Sequence, residues 1–205
     1  MRPLRLLLLA GIPLIAQAPA AGDLVLSRAE KAQAMDLLAR GKADLEKSLA
    51  GLSQAQLHFK TSPDRWSILE CAEHIALTAE FLGEKVVFKG LSGPPEPAKR
   101  AEIGAVDSLV ILGVEDRSKT FQAPDMLKPP GKWKDGPSVL AAYASAHARL
   151  AGAIEKGEGL RVRVAPHPAF GALDLYQWVL LTGAHTRRHL QQIAEVKTSP
   201  GYPAK

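Results

Sequence analysis

Ala184-His185-Thr186-Arg187-Arg188-His189-Leu190-Gln191-Gln192-Ile193 sets two imidazoles four residues apart inside a run of helical apolar periodicity. On a helix these two side chains stack on one face, and Trp178, Leu181, Thr182 and Val196 fall on the same stripe. Such a stripe points into a core, so the two histidines need a physical reason to be there. Two neutral imidazoles one turn apart can ligate one metal ion, but a pair alone makes a weak site and a third ligand is required.

The third ligand is best sought in Trp66-Ser67-Ile68-Leu69-Glu70-Cys71-Ala72-Glu73-His74. Ser67 with Glu70 reads as a capping box that opens a helix. His74 then lies two turns in, on a face shared with Glu70, Cys71, Leu77, Thr78 and Phe81. One histidine from this helix and the i,i+4 pair from another make a three-ligand set with a coordination position left for water or substrate.

The tryptophan-led helix with its histidine, the His185-Thr186-Arg187-Arg188-His189 segment, the His167-Pro168-Ala169-Phe170-Gly171 stretch before it and the closing Glu195-Val196-Lys197 resemble the DinB-like (DinB/YfiT) superfamily of metalloproteins. The resemblance covers roughly residues 27 to 203. It implies an all-α four-helix bundle of non-sequential topology, with a divalent metal on three histidines that map onto His74, His185 and His189. Relatives in the superfamily resemble hydrolases or thiol-dependent transferases that act on small molecules.

The remaining chain is consistent with one such domain over residues 21 to 205. It has 205 residues, 46% hydrophobic and 23% charged, a composition that builds a core and excludes the disordered class. The formal charge of +5 falls to +3 without Arg2 and Arg5, and no basic block remains, which argues against nucleic acid as a partner. Met1 to Ala20 has the basic start, short apolar run and small-residue end of a secretory signal, with cleavage expected before Ala21. The expected location is therefore periplasmic or extracellular, with no stable membrane span after processing.

Four long helices are expected. The first opens at the Ser27 and Glu30 capping box and runs to Leu49 or Gly51, and the second runs from Ser67 to about Lys89. Pro137 opens the third, which stops near Gly157, and Asp174 with Gln177 caps the fourth, which runs to about Val196. Between the second and third lies a long crossover, Ser92 to Pro137, with a partial helix around Ile103 to Val114. A connection of that length either crosses the bundle, allowing the helices it joins to run parallel, or walls a site. Arg161 to Val164 reads as a short extended segment, and His167, ahead of Pro168, as a loop residue, either a simple turn residue or one at the rim of the site.

Several side chains keep two readings. Cys71, the lone cysteine, is a buried small hydrophobe or, at i,i+3 from His74, a thiolate ligand. His147 sits on an apolar stripe as a satisfied core histidine or an accessory to the metal, and His58 falls in a connection. Glu70 either only closes its capping box or serves as a catalytic general base. Arg188 either steadies an anionic substrate or pairs with an acidic neighbour. Three neutral imidazoles suit zinc, nickel or another first-row divalent ion. The functional readings are a metal-dependent hydrolase of a small-molecule substrate, a thiol-dependent transferase, and a non-enzymatic metal-binding or structural bundle, with a homodimer compatible with each. Export favours hydrolysis, which needs only water.

Overall fold

The computed structural model of the protein describes residues 25–104 and 106–204. The expected signal segment lies outside these residues. Four long helices carry the fold: α1 (Arg28–Leu49), α3 (Ile68–Phe81), α7 (Gly136–Lys156) and α8 (Leu175–Thr198). A five-residue helix, α2 (Gln54–His58), sits in the first connection. Helix α3 continues without a break through a π-helical stretch, Leu82–Phe88, into a last turn, α4 (Lys89–Leu91).

Each long helix begins where its local sequence dictates. Ser27, Ser67 and Asp174 accept from the backbone three residues on, and Glu30, Glu70 and Gln177 return the bond to the cap residue. Asp135 caps α7 alone, with Pro137 in its first turn. At the other end of α7 Gly157 adopts φ 70°, the left-handed conformation that glycine enters without steric cost.

Two apolar clusters fix the directions of the helices. One joins Leu45 and Leu49 late in α1, Ile68 to Ile75 early in α3, Val139 and Tyr143 early in α7, and Ile193 and Val196 late in α8. The other joins Ala34, Leu37 and Leu38 early in α1, Leu82 and Val87 beyond α3, Leu150 and Ile154 late in α7, and Trp178 to Leu181 early in α8. Helices α1 and α8 therefore run one way and α3 and α7 the other. Each member of the pair α1 and α3 packs on both α7 and α8, so the ring order is α1, α7, α3, α8. This is the non-sequential bundle, with the second and third long helices parallel.

A parallel neighbour has to be reached by returning along the bundle, about 30 Å for a helix of this size. The crossover does so through α5 (Pro97–Ala101), α6 (Asp107–Glu115) and a 3-10 turn, Asp125–Leu127. Helix α6 packs along the outside of α8. On the bundle side, α8 meets α1 at close range because Gly183 faces Leu37: a Cβ there would lie 2.7 Å from the leucine Cγ.

The link from α7 to α8 differs from its sequence expectation. The extended segment is Val164–His167 (β1), paired antiparallel with Gly171–Asp174 (β2), rather than Arg161 to Val164. Arg161 instead folds back into an ion network, donating to Glu30, Asp107 and Asp174, and Asp174 is 0% exposed. Arg100 adds a second cation to Asp174 at 2.7 Å. No helix among the described residues is long and apolar enough to cross a membrane.

Candidate metal centre

Antiparallel packing of α3 on α8 brings His74 against the pair His185 and His189. The Nε2 atoms of His74 and His189 each lie 3.1 Å from His185 Nε2, and the ligand atoms of the three lie within 4.8 Å of one another. His74 is 4% exposed and His189 9%. Trp66, just before the α3 cap, covers one side, its ring centroid 4.7 Å from that of His74 and 6.1 Å from that of His189.

The outer nitrogens orient the rings. His74 Nδ1 donates to the carbonyl oxygen of Leu127 at 2.7 Å, and His189 Nδ1 faces Gln192 Oε1 at 3.0 Å. An imidazole that donates through Nδ1 carries a lone pair on Nε2, the tautomer a metal ligand needs. His185 Nε2 can donate to only one of its two neighbours, so at least one of the 3.1 Å contacts sets lone pair against lone pair. A cation taking all three lone pairs resolves that conflict. Ligands at 2.0–2.1 Å in tetrahedral directions lie about 3.3 Å apart, close to the two 3.1 Å spacings from His185. The residues present fit a divalent ion.

Electrostatics agree with neutral ligands. Burial, aided by mutual repulsion, pushes His185 well below the ordinary histidine range and His189 down to about 3. Burial also lowers His74, against the pull of the Leu127 carbonyl. A proton is thus a poor occupant of the centre, whereas a metal ion can use the lone pairs that the protons leave free.

The crossover is clamped beside the site. Glu73, 1% exposed, accepts from the backbone N–H of Gly131 at 3.0 Å and of Lys132 at 2.5 Å, next to the residue that Leu127 orients. Arg188 bonds backbone carbonyls and has no carboxylate partner within ion-pair distance among the described residues. Its guanidinium donates to the carbonyls of Val114, Asp116 and Lys119 at 3.0, 2.6 and 2.6 Å, tying the end of α6 to α8. Arg117 reinforces this contact by pairing with Glu195.

The other candidates fall elsewhere. Glu70 accepts from the Ser67 N–H at 2.8 Å and from Lys60 Nζ at 2.7 Å. Burial raises its pKa, but the bonds to Lys60 and Ser67 outweigh burial and hold it below the usual value. It lines a cleft of about 230 Å³ with His58, Pro129, Pro130 and Trp133, which none of the three histidines lines. Cys71 is fully buried, its thiol pushed up to about 12 by burial, and stands outside the histidine group. His147 packs beside Tyr143, ring centroids 6.2 Å apart, with its Nε2 buried and without a hydrogen-bond partner among the described residues. His167 ends β1 and accepts through Nδ1 from the N–H groups of Ala169 and Phe170, closing its own turn.

Sequence reasoning missed the Leu127 carbonyl, the Glu73 clamp and the role of Gln192. Only Gln192 left a local signal, three residues after His189 on the helix.

A bundle whose second and third long helices run parallel, with three convergent imidazoles between α3 and α8, defines a class of helical scaffold with a candidate metal centre. The sequence profile of the DinB superfamily matches residues 37–193, and the chain belongs to that superfamily. Among relatives, the uncharacterized protein YuaE of Bacillus subtilis (strain 168) is 28% identical over 165 residues, 80% of this chain and 96% of YuaE. Among solved structures, the fold is similar to YfiT from Bacillus subtilis, with a TM-score of 0.55 and 15% identity over 91% of this chain and 95% of that one. YfiT is described as a probable metal-dependent hydrolase with an unusual four-helix bundle topology.

Proposed function

We propose that this protein is a metal-dependent hydrolase acting on a small molecule, with His74, His185 and His189 holding a first-row divalent ion, zinc or nickel. The observation that carries the reading is the convergence of three neutral Nε2 atoms, two of them with the tautomer set by outer hydrogen bonds. The description of YfiT as a metal-dependent hydrolase supports it. A bound divalent ion supplies an acidified water near neutral pH and polarises a carbonyl or phosphoryl oxygen.

This chain's own residues do the rest. Leu127 and Gln192 fix the ring orientations of His74 and His189, and such outer partners also raise ligand basicity. Trp66 excludes water from the faces of His74 and His189. Glu70, held by Lys60 and its cap, serves in this reading to start α3 and not as the general base. Proton transfer then passes through solvent. Three protein ligands, one fewer than a closed structural site provides, favour catalysis over a purely structural ion.

The test is elemental analysis of protein purified from its natural compartment, followed by turnover of esters, amides and phosphoesters with and without chelator. One equivalent of metal and chelator-sensitive hydrolysis are expected. Stoichiometric metal without turnover in any class would instead favour an ion that only clamps α3 to α8.

A further inference from the structure

We infer that Thr78 is a positioning residue of this centre, its hydroxyl hydrogen-bonding the oxygen ligand, water or a substrate oxygen, that completes the coordination begun by His74, His185 and His189. The inference rests on the metal-dependent reading above and adds a residue to it.

Thr78 follows His74 by one turn on the same face of α3. Because α3 and α8 are antiparallel and His74 reaches His185, a step up α3 from His74 to Thr78 is a step back along α8 from His185 toward Thr182. Thr78 is 4% exposed, and its Oγ1 has no hydrogen-bond partner among the described residues. Two buried threonines of α8 behave differently. Thr182 returns its hydroxyl to the Trp178 carbonyl at 2.9 Å, and Thr186 to the Thr182 carbonyl at 3.2 Å. A buried threonine on a helix ordinarily satisfies itself in that way. Thr78 leaves the local carbonyl unused.

A buried hydroxyl without a partner costs stability that valine, of the same shape, would not. That cost is recovered when a ligand brings the partner. The position is also the right one. Trp66 stacks on His74 and His189 from the start of α3, and Thr78 lies one turn beyond His74 in the opposite direction along the same helix. A hydroxyl offers one donor and two acceptor sites, so it can serve a water, a carbonyl or an oxyanion.

The experiment compares the full chain with Thr78→Val and Thr78→Ser, using Co(II) as probe and its visible spectrum as readout, with acetate as a competing oxygen ligand. Thr78→Val is expected to bind one Co(II) with near-native affinity and to melt no lower than the unaltered apo protein. Its spectral pH midpoint should rise by about one unit and its acetate affinity fall about tenfold, the loss expected for one hydrogen bond to a charged ligand. Thr78→Ser should restore both. A Thr78→Val midpoint and acetate affinity equal to the unaltered protein's overturn the role of Thr78 alone. Failure of the unaltered protein to bind one Co(II) overturns the metal reading and this inference with it.

Discussion

His74 Nδ1 donates to the Leu127 carbonyl across a sequence separation of 53 residues, so a histidine on one helix is oriented by the crossover that leads to the next. The outer hydrogen bond belongs to a segment with little regular structure of its own. If the three histidines hold a metal as proposed, its affinity and the order of the crossover would be coupled through this bond.

Single replacement of His74, His185 or His189 with Ala is expected to abolish tight metal binding, since two imidazoles make a weak site. Each variant should melt like the metal-free protein, because a ligand stabilises only the state that binds it. His147→Ala should retain one equivalent of metal. Calorimetry with elemental analysis decides: full affinity in His74→Ala, or its loss in His147→Ala, contradicts the assignment.

Glu73→Ala removes the acceptor for the Gly131 and Lys132 amides. Loss of stability of about 2–3 kcal/mol is expected for hydrogen bonds to a buried carboxylate. Metal affinity should also fall about 10- to 100-fold as the Leu127 carbonyl loosens from His74. Denaturant titration and calorimetry measure the two effects; unchanged metal affinity would show that the clamp does not reach the site.

Arg161→Met tests the ion network. Asp107 and Glu30 have pKa values held below the carboxylate range, Asp107 by Arg161 and Glu30 by Ser27 and Arg161, each against the upward push of burial. A depressed carboxylate adds stability that is present above its unfolded pKa and lost as pH falls through its folded one. Asp174 has the opposite sign: burial raises it beyond what Arg161 recovers, so its ionised form is a cost at neutral pH. Without Arg161 that cost grows, and the variant should lose about 3–5 kcal/mol at pH 7. The deficit should shrink below about pH 4 as the carboxylates protonate. Denaturant melts at pH 7 and pH 3.5 give the comparison, and a deficit independent of pH argues for lost packing instead.

Export is expected from the order of Arg2, Arg5, the apolar run and the small residues before Ala21. Mass spectrometry of the mature protein should find a chain beginning near Ala21. A cytosolic chain with Met1 intact would end the proposal.

What could be seen in the sequence was what is local. The caps at Ser27, Ser67 and Asp174 each involve residues three apart, and the pairing of His185 with His189 follows from one turn of helix. The third ligand needed a family resemblance, because nothing in the spacing of His74 from His185 says that their helices pack. Long-range partners were not legible. Arg188 looked like a surface or substrate arginine until α6 folded onto α8, and Glu73 is an ordinary helical glutamate until residues 131 and 132 return to it. The hairpin escaped because Arg161 to Val164 alternates like a strand, while burying the Arg161 guanidinium among three carboxylates displaces pairing to Val164–His167.

The histidine centre joins positions 74 and 185, which are 111 residues apart. An ion bridging them would tie together helices far apart in the sequence, but since the unfolded chain would release it, its contribution would follow metal concentration and affinity rather than loop length. A covalent tie of about 100 residues would instead take about 4.7 kcal/mol of loop entropy out of the unfolded chain, whatever the solvent holds. Unlike a disulfide, which the lone Cys71 could not form within this chain, the ion's tie can be opened by a chelator and remade without a redox partner.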